Sequence, residues 1–319
     1  MRDYIIRRLL LLPLIILGVT FLTFALYRFI PGDACVGALG FSATPDNVAS
    51  CRQAHGLDRP WYRQYGDWLI GLPQGHFGSS LRNGQPDVTT ELNRRLPVTL
   101  ELLVLTVIMA LILGIPPGVL SAIRPGTPLD WIARLASVVW LSIPSFYLGI
   151  IIIAFASTWF NWTPPQFGGQ GYISFFHNPW KNMQEFFFPS LVLALASAAF
   201  IMRLTRSSML EVLRNDYIRT AWSKGLREKT VVWRHALKNA LIPVVTVVGL
   251  QVGGLIGGAV LVESVFNLNG VGKYVLEAIL TRDFFIVQSL VLMFALAYVI
   301  CNLVVDVAYA WLDPRIHYA

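Results

Sequence analysis

Charge is what this sequence has least of. Only 13% of its 319 residues are charged, against 55% hydrophobic, whereas a soluble domain carries about 25% charged residues. A soluble core has no room for that much apolar surface, so lipid is the expected solvent. Enzyme constellations are missing too. The five histidines (His55, His76, His177, His235, His317) are scattered, with no i, i+4 pair for a metal. The three cysteines form no C-x-x-C. Gly270-Val271-Gly272-Lys273 faintly resembles a phosphate loop, but Asn267 and Tyr274 occupy positions that the G-x-x-x-x-G-K-[ST] spacing assigns otherwise. The chain is therefore expected to be no enzyme and to hold no metal or cofactor of its own. The chain then has no means of hydrolysing ATP by the usual phosphate loop.

What is present is apolar length. Six stretches stand out: Leu9–Ile30, Val98–Ile123, Trp131–Phe160, Pro189–Ile201 with its flank, Leu241–Val265 and Phe284–Leu312. A spanning helix needs about 20 mostly apolar residues, and only the fourth stretch is short. The expected fold is an all-α integral membrane protein of six spans. Its divisions are 1–30 (first span), 31–97 (an extracytoplasmic segment), 98–312 (the core, with a cytosolic loop at about 207–240) and 313–319 (a tail). Arg2, Arg7 and Arg8 also suit a signal peptide. The apolar run is longer than a signal core, however, and no A-x-A site follows, so a retained helix is expected.

The net charge of +7 is sorted by side and does not imply nucleic acid. With the N-terminus inside, the inner side holds Arg2, Arg7, Arg8, Arg124, Arg134, Arg315 and nine basic residues from Arg203 to Lys238. The short outer loops hold Lys181, Lys273 and Arg282. Both termini are then cytosolic, in a cell (inner or plasma) membrane. Cys301 reads as a small apolar residue of the last span. Cys35 and Cys51 fall in the outer segment, where disulfides persist; a bridge is favoured over two free thiols and closes a loop worth about 3 kcal/mol. Trp61, Tyr65 and Trp68 share one face of a short helix, expected on the membrane surface or neighbouring chain.

Between the fourth and fifth spans, Met209, Leu213, Tyr217 and Ala221 recur every four residues, one apolar helical face. Gly225 sits where a helix ends with positive φ, and a second short helix from about Arg227 to Asn239 leads back to Pro243. The plain alternative is a solvated basic loop. Gly249, Gly253 and Gly257, with Gly254 and Gly258 alongside, let helices approach closely. Glu263, Asp306, Glu101 and Arg28 lie near span edges, from which they can snorkel to water.

Asp216-Tyr-Ile-Arg-Thr-Ala-Trp-Ser-Lys-Gly-Leu226 followed by His235-Ala-Leu-Lys-Asn-Ala-Leu-Ile-Pro243 resembles the cytosolic loop of binding-protein-dependent ABC transporter permeases. The chain is most similar to the B-type subunit of the dipeptide/oligopeptide branch. His55-Gly-Leu-Asp-Arg-Pro60, Leu96-Pro-Val-Thr-Leu-Glu-Leu102, Ser142-Ile-Pro-Ser-Phe146, Arg203-Leu-Thr-Arg-Ser-Ser-Met209, Val262-Glu-Ser-Val-Phe266 and Asp313-Pro-Arg315 extend the resemblance along nearly the whole chain, in order. It implies a second permease subunit, two ATPase subunits, an extracytoplasmic substrate-binding protein, and cargo such as dipeptides, oligopeptides, nickel chelates or glutathione. It also implies ATPase coupling through Leu213, Asp216, Tyr217, Arg219, Thr220, Ala221, Lys224, Gly225 and Leu226. Arg219-Thr220-Ala221 stands where the family has Glu-Ala-Ala, so that glutamate is lost. The glycine face and Glu263 then become candidates for the translocation path against the partner permease, or for plain helix packing. A stand-alone secondary transporter or channel would need buried mid-span carboxylates, which are scarce; a membrane hydrolase would need a nucleophile–base pair.

Overall fold

The computed structural model describes residues 2–29, 32–81, 87–164 and 171–312, the side chains of 2–9, 27 and 304–312 excepted. The Asp306 side chain, the 313–319 tail and Asp313-Pro-Arg315 lie outside the described residues. The helices are α1 (Arg2–Phe29), α2 (Ala34–Leu39), α3 (Pro45–Ala54), α4 (Trp61–Gly71), α5 (Val88–Ile123), α6 (Pro128–Ser142), α7 (Ser145–Phe160), α8 (Pro179–Val212), α9 (Asp216–Ser223), α10 (Glu228–Thr230), α11 (Leu237–Val265), α12 (Val271–Leu280) and α13 (Phe284–Leu312). No strand occurs among the described residues.

Among the described residues, four helical segments are long and apolar enough to cross a membrane: Val88–Ile123, Pro179–Val212, Glu228–Val265 and Phe284–Leu303. The pair α6 and α7 makes a fifth if counted as one span, but it bends by 100°. This corrects the expected continuous Trp131–Phe160 span. Pro144 supplies no N–H and drives the residue before it out of the helical region, and Ile143 is extended (φ −99°, ψ 121°). The fourth stretch, short by composition, belongs to a 34-residue helix. Its polar first turns are stabilised from within: the Asn178 side chain accepts from the Lys181 N–H at 3.1 Å, and Asn182 and Glu185 are buried. In α1 the described apolar part is Leu10–Leu26.

The chain divides into two compact units. In the unit of 100–268 and 301–319, α8 packs against α6, α7 and α11. Its small residues Ala194 and Ala198 are fully buried, with Ala110, Ile201 and Val244 around them. Gly114 and Gly118 bring α5 close. A Cβ at Gly114 would stand 2.9 Å from the Ala198 carbonyl oxygen, and one at Gly118 would stand 2.7 Å from that of Met202. Only glycine allows this approach, the G-x-x-x-G form of packing in lipid.

In the unit of 2–99 and 269–300, a disulfide joins Cys35 of α2 to Cys51 of α3, and Leu81 is buried with it. The aromatic helix α4 lies on α1: Tyr65 meets Phe21 and Phe24, and its hydroxyl is 2.9 Å from Thr20 Oγ1. Only part of the expected aromatic face turns inward, since Trp68 is buried while Trp61 is exposed. Asp283, ahead of α13, fastens the loop before α5. It accepts from Ser80 Oγ at 2.6 Å and from the Leu81 N–H at 3.0 Å.

Candidate functional site

The segment after α8 forms a short elbow. α8 stops at Val212, and α9 begins only at Asp216. The expected face of Met209, Leu213, Tyr217 and Ala221 is therefore interrupted. Tyr217 is 42% exposed, and Ile218 takes the inward place beside Ala221. Those two residues, with Met209, sink into a cluster with Val119, Ala122, Val231, Val232, Ala236 and Ala240, against which Leu213 and Leu226 pack. Burial of this apolar side anchors an eight-residue helix far too short to persist alone.

The end of α9 explains Gly225. Its N–H donates to Trp222 O at 2.9 Å and the Leu226 N–H to Ala221 O at 3.4 Å, the pair of bonds of a Schellman turn. Gly225 takes φ +71°, and a Cβ there would meet nothing within 4 Å. The requirement is purely conformational. The expected second helix is part of a longer one: α10, a π-turn at Val231–Ala236 and α11 run on as Glu228–Val265.

With its apolar side buried, α9 leaves Asp216, Tyr217, Arg219, Thr220 and Lys224 exposed, together with Trp222 at 46%. Arg219 and Asp216 form an exposed ion pair at 3.5 Å, worth little in itself. Tyr217 Oη accepts from Asn239 Nδ2 at 2.7 Å. The sequence reading passed over Trp222 and the equally exposed Trp233. Two tryptophans within a short, polar and basic segment were the available signal.

A buried tie stands in the same unit. Asp130 is 1% exposed. Its carboxylate accepts from Ser121 Oγ, from the Gly126 N–H at 3.0 Å and from Arg206 Nε and Nη2 at 2.9 and 3.2 Å. It joins α5, α6 and α8 one turn or less from Val119, Ala122 and Met209, which hold the elbow. Nothing local in the sequence pairs residues so far apart.

The glycines of α11 do not act as one face. Gly249 and Gly253 are buried, and Gly258 lies against Leu193 of α8. Gly254 and Gly257 are exposed, and a Cβ on either would meet nothing within 4 Å. Glu263 does not snorkel: it is fully buried and has a partner within the protein. Glu101 accepts from Tyr172 Oη at 2.6 Å. Burial first, then this carboxylate, push Tyr172 up to about 12. Arg28 donates to Gln64. Among the described residues no group of three or more His, Cys, Asp or Glu is placed to hold a metal.

Residues 114–318 match the family described as "Binding-protein-dependent transport system inner membrane component", and 1–103 match its N-terminal companion. The chain belongs to this family. The permease is 38% identical to the dipeptide transport system permease protein DppB of Alkalihalophilus pseudofirmus, with 100% of each chain covered. It is 39% identical to the oligopeptide transport system permease protein AppB of Bacillus subtilis and 37% identical to the glutathione transport system permease protein GsiC of Escherichia coli K12, again over 100% of each. It is a multi-pass membrane permease.

Proposed function

We propose that this chain is one of two permease subunits of an ATP-driven importer of dipeptides, oligopeptides or a related small solute such as glutathione. The single observation that carries the mechanism is the elbow at α9 and Gly225: one side locked into apolar packing, the other polar, aromatic and open. A helix built so is suited to docking in a groove of a partner, here an ATPase subunit on the cytosolic side. Two such ATPases bind ATP and Mg. Their closure drags each elbow, and the permease pair passes between inward- and outward-facing states. ATP shifts that equilibrium through its differential affinity for the two states of the ATPases.

The topology that goes with this is six spans, α1 included, with both termini cytosolic and 31–97 outside. The sorted basic residues support it, as does the Cys35–Cys51 bridge, which suits an oxidising compartment. The outer segment would receive an extracytoplasmic substrate-binding protein. The bare face of Gly254 and Gly257 would meet the second permease along the path. The test is purification of the chain with its associated proteins and uptake of labelled di- and oligopeptides by the reconstituted complex. Two ATPase subunits should travel with the chain, and uptake should need ATP inside. A chain that purifies alone and conducts solute without nucleotide would be a secondary transporter or channel instead.

A further inference from the structure

Within the unit of 2–99 and 269–300, a cavity of about 530 Å³ opens beside the last turns of α1, within the size range of small-molecule sites. Phe24, Leu57 and Ile279 give it an apolar wall. Arg28, Arg52 and Arg282 line it too, with Asp33 and Asp58. Arg52 is engaged by Asp33, to which its Nε donates at 2.7 Å, and Asp33 also accepts from the Cys35 N–H at 2.7 Å. Arg28 and Arg282 face no carboxylate within ion-pairing distance among the described residues.

Arg282 is placed with unusual care. It follows α12 at φ 57°, in the left-handed position of a turn closed by Arg282 N–H to Ile279 O at 3.1 Å and Asp283 N–H to Ala278 O at 2.9 Å. Glycine is the usual residue there. The arginine side chain lies across Gly37 and Gly32: a Cβ on Gly37 would stand 3.2 Å from its Cβ, and one on Gly32 would stand 2.8 Å from its Nη1. A disfavoured backbone state and two bare glycines thus put one unpaired guanidinium at the cavity.

The neighbourhood is that of a bilayer rim. α1 exposes Leu14, Leu17, Phe21, Leu22 and Leu26, and Arg28 follows Phe24 by one turn. Trp61 and Tyr62 are exposed on α4, as in the aromatic belts at headgroup level. Ile279 and Leu280, 50% and 75% exposed, form an apolar lip.

We propose that this cavity holds a phospholipid headgroup, its phosphodiester bonded by Arg28 and Arg282 and its glycerol end lying on Phe24, Leu57 and Ile279. Asp58 gives the site a preference for a head carrying a primary ammonium. The inference rests on the chain spanning a bilayer, not on the identity of the cargo. The test is native mass spectrometry of the delipidated transporter complex titrated with short-chain phosphatidylethanolamine, for wild type, Arg28→Gln and Arg282→Gly. Glycine relieves the left-handed strain at 282, so that variant should fold, which its thermal unfolding will verify. Each variant should bind the lipid about tenfold more weakly, as the loss of a charge-assisted bond implies. Phosphatidylglycerol should bind less tightly than phosphatidylethanolamine, and inorganic phosphate should not displace either. Equal lipid binding by both variants would overturn the proposal. So would displacement by inorganic phosphate at matching concentration. Variants that lose capture of an external binding protein while keeping their lipid would reassign the cavity to protein docking.

Discussion

Asp130 and Asp283 are both removed from water, at 1% and 0% exposure, yet only the first faces a guanidinium. Asp130 binds Arg206 by two nitrogens and draws on a hydroxyl and an N–H as well. Asp283 has the Ser80 hydroxyl and the Leu81 N–H, with His55 one residue removed, its Nε2 3.2 Å from the Ser80 carbonyl oxygen. Burial pushes the Asp283 carboxyl above the ordinary range, although these hydrogen bonds pull it down. One unit is thus braced by a charge pair, and the other by a disulfide and a carboxyl whose ionised form burial disfavours. The brace at Asp130 stands where the elbow is rooted. If the elbow couples as proposed above, that is where movement must be transmitted rigidly.

The comparison breaks most visibly at Asp130. Asp130→Ala leaves Arg206 partly buried without its partner and should cost about 3–5 kcal/mol. Denaturant titration in detergent would read this, and Asp130→Ala/Arg206→Leu should recover part of the loss. In the other unit, Cys35→Ser with Cys51→Ser should cost about 3 kcal/mol, read as a lower melting temperature that reductant no longer changes. Gly225→Ala should cost about 1 kcal/mol through the left-handed backbone alone, since the added Cβ touches nothing. ATP-driven uptake should fall while the assembled complex persists, and Gly225→Asn should be milder.

The smallest effect sharpens the contrast. A carboxyl whose folded pKa is raised favours the fold below its unfolded value, and that contribution is lost as pH rises through the folded value. The Asp283 contribution to stability should therefore fall as pH climbs above the ordinary carboxylate range. Asp283→Asn should flatten this slope, measured by thermal unfolding over a pH series.

How much could be read beforehand differs by kind of signal. Family membership was legible because its motifs recur in order, and apolar length marked the long helices. Local breaks were less legible. Pro144 was visible, but prolines are tolerated in membrane helices, and its neighbour's extended backbone decides the 100° bend. The four-residue period from Met209 to Ala221 ran across a break at 213–215 that periodicity cannot detect. Gly114-x-x-x-Gly118 carried a readable packing motif that was overshadowed by the richer glycine run in α11. The Asp130–Arg206 and Asp283–Ser80 ties join residues 76 and 203 positions apart. Burial and partner choice at such separations are properties of the packed chain, with no local pattern to announce them.

Coupling at the elbow is tested most directly by a single cysteine at Ser223, an exposed position of α9, in the membrane-embedded transporter treated with a short bifunctional crosslinker. The expected result is an adduct between this chain and an ATPase subunit, with a yield that changes when ATP binds, in preparations whose solute uptake requires ATP. An elbow that captures no ATPase while solute still accumulates without nucleotide would contradict it.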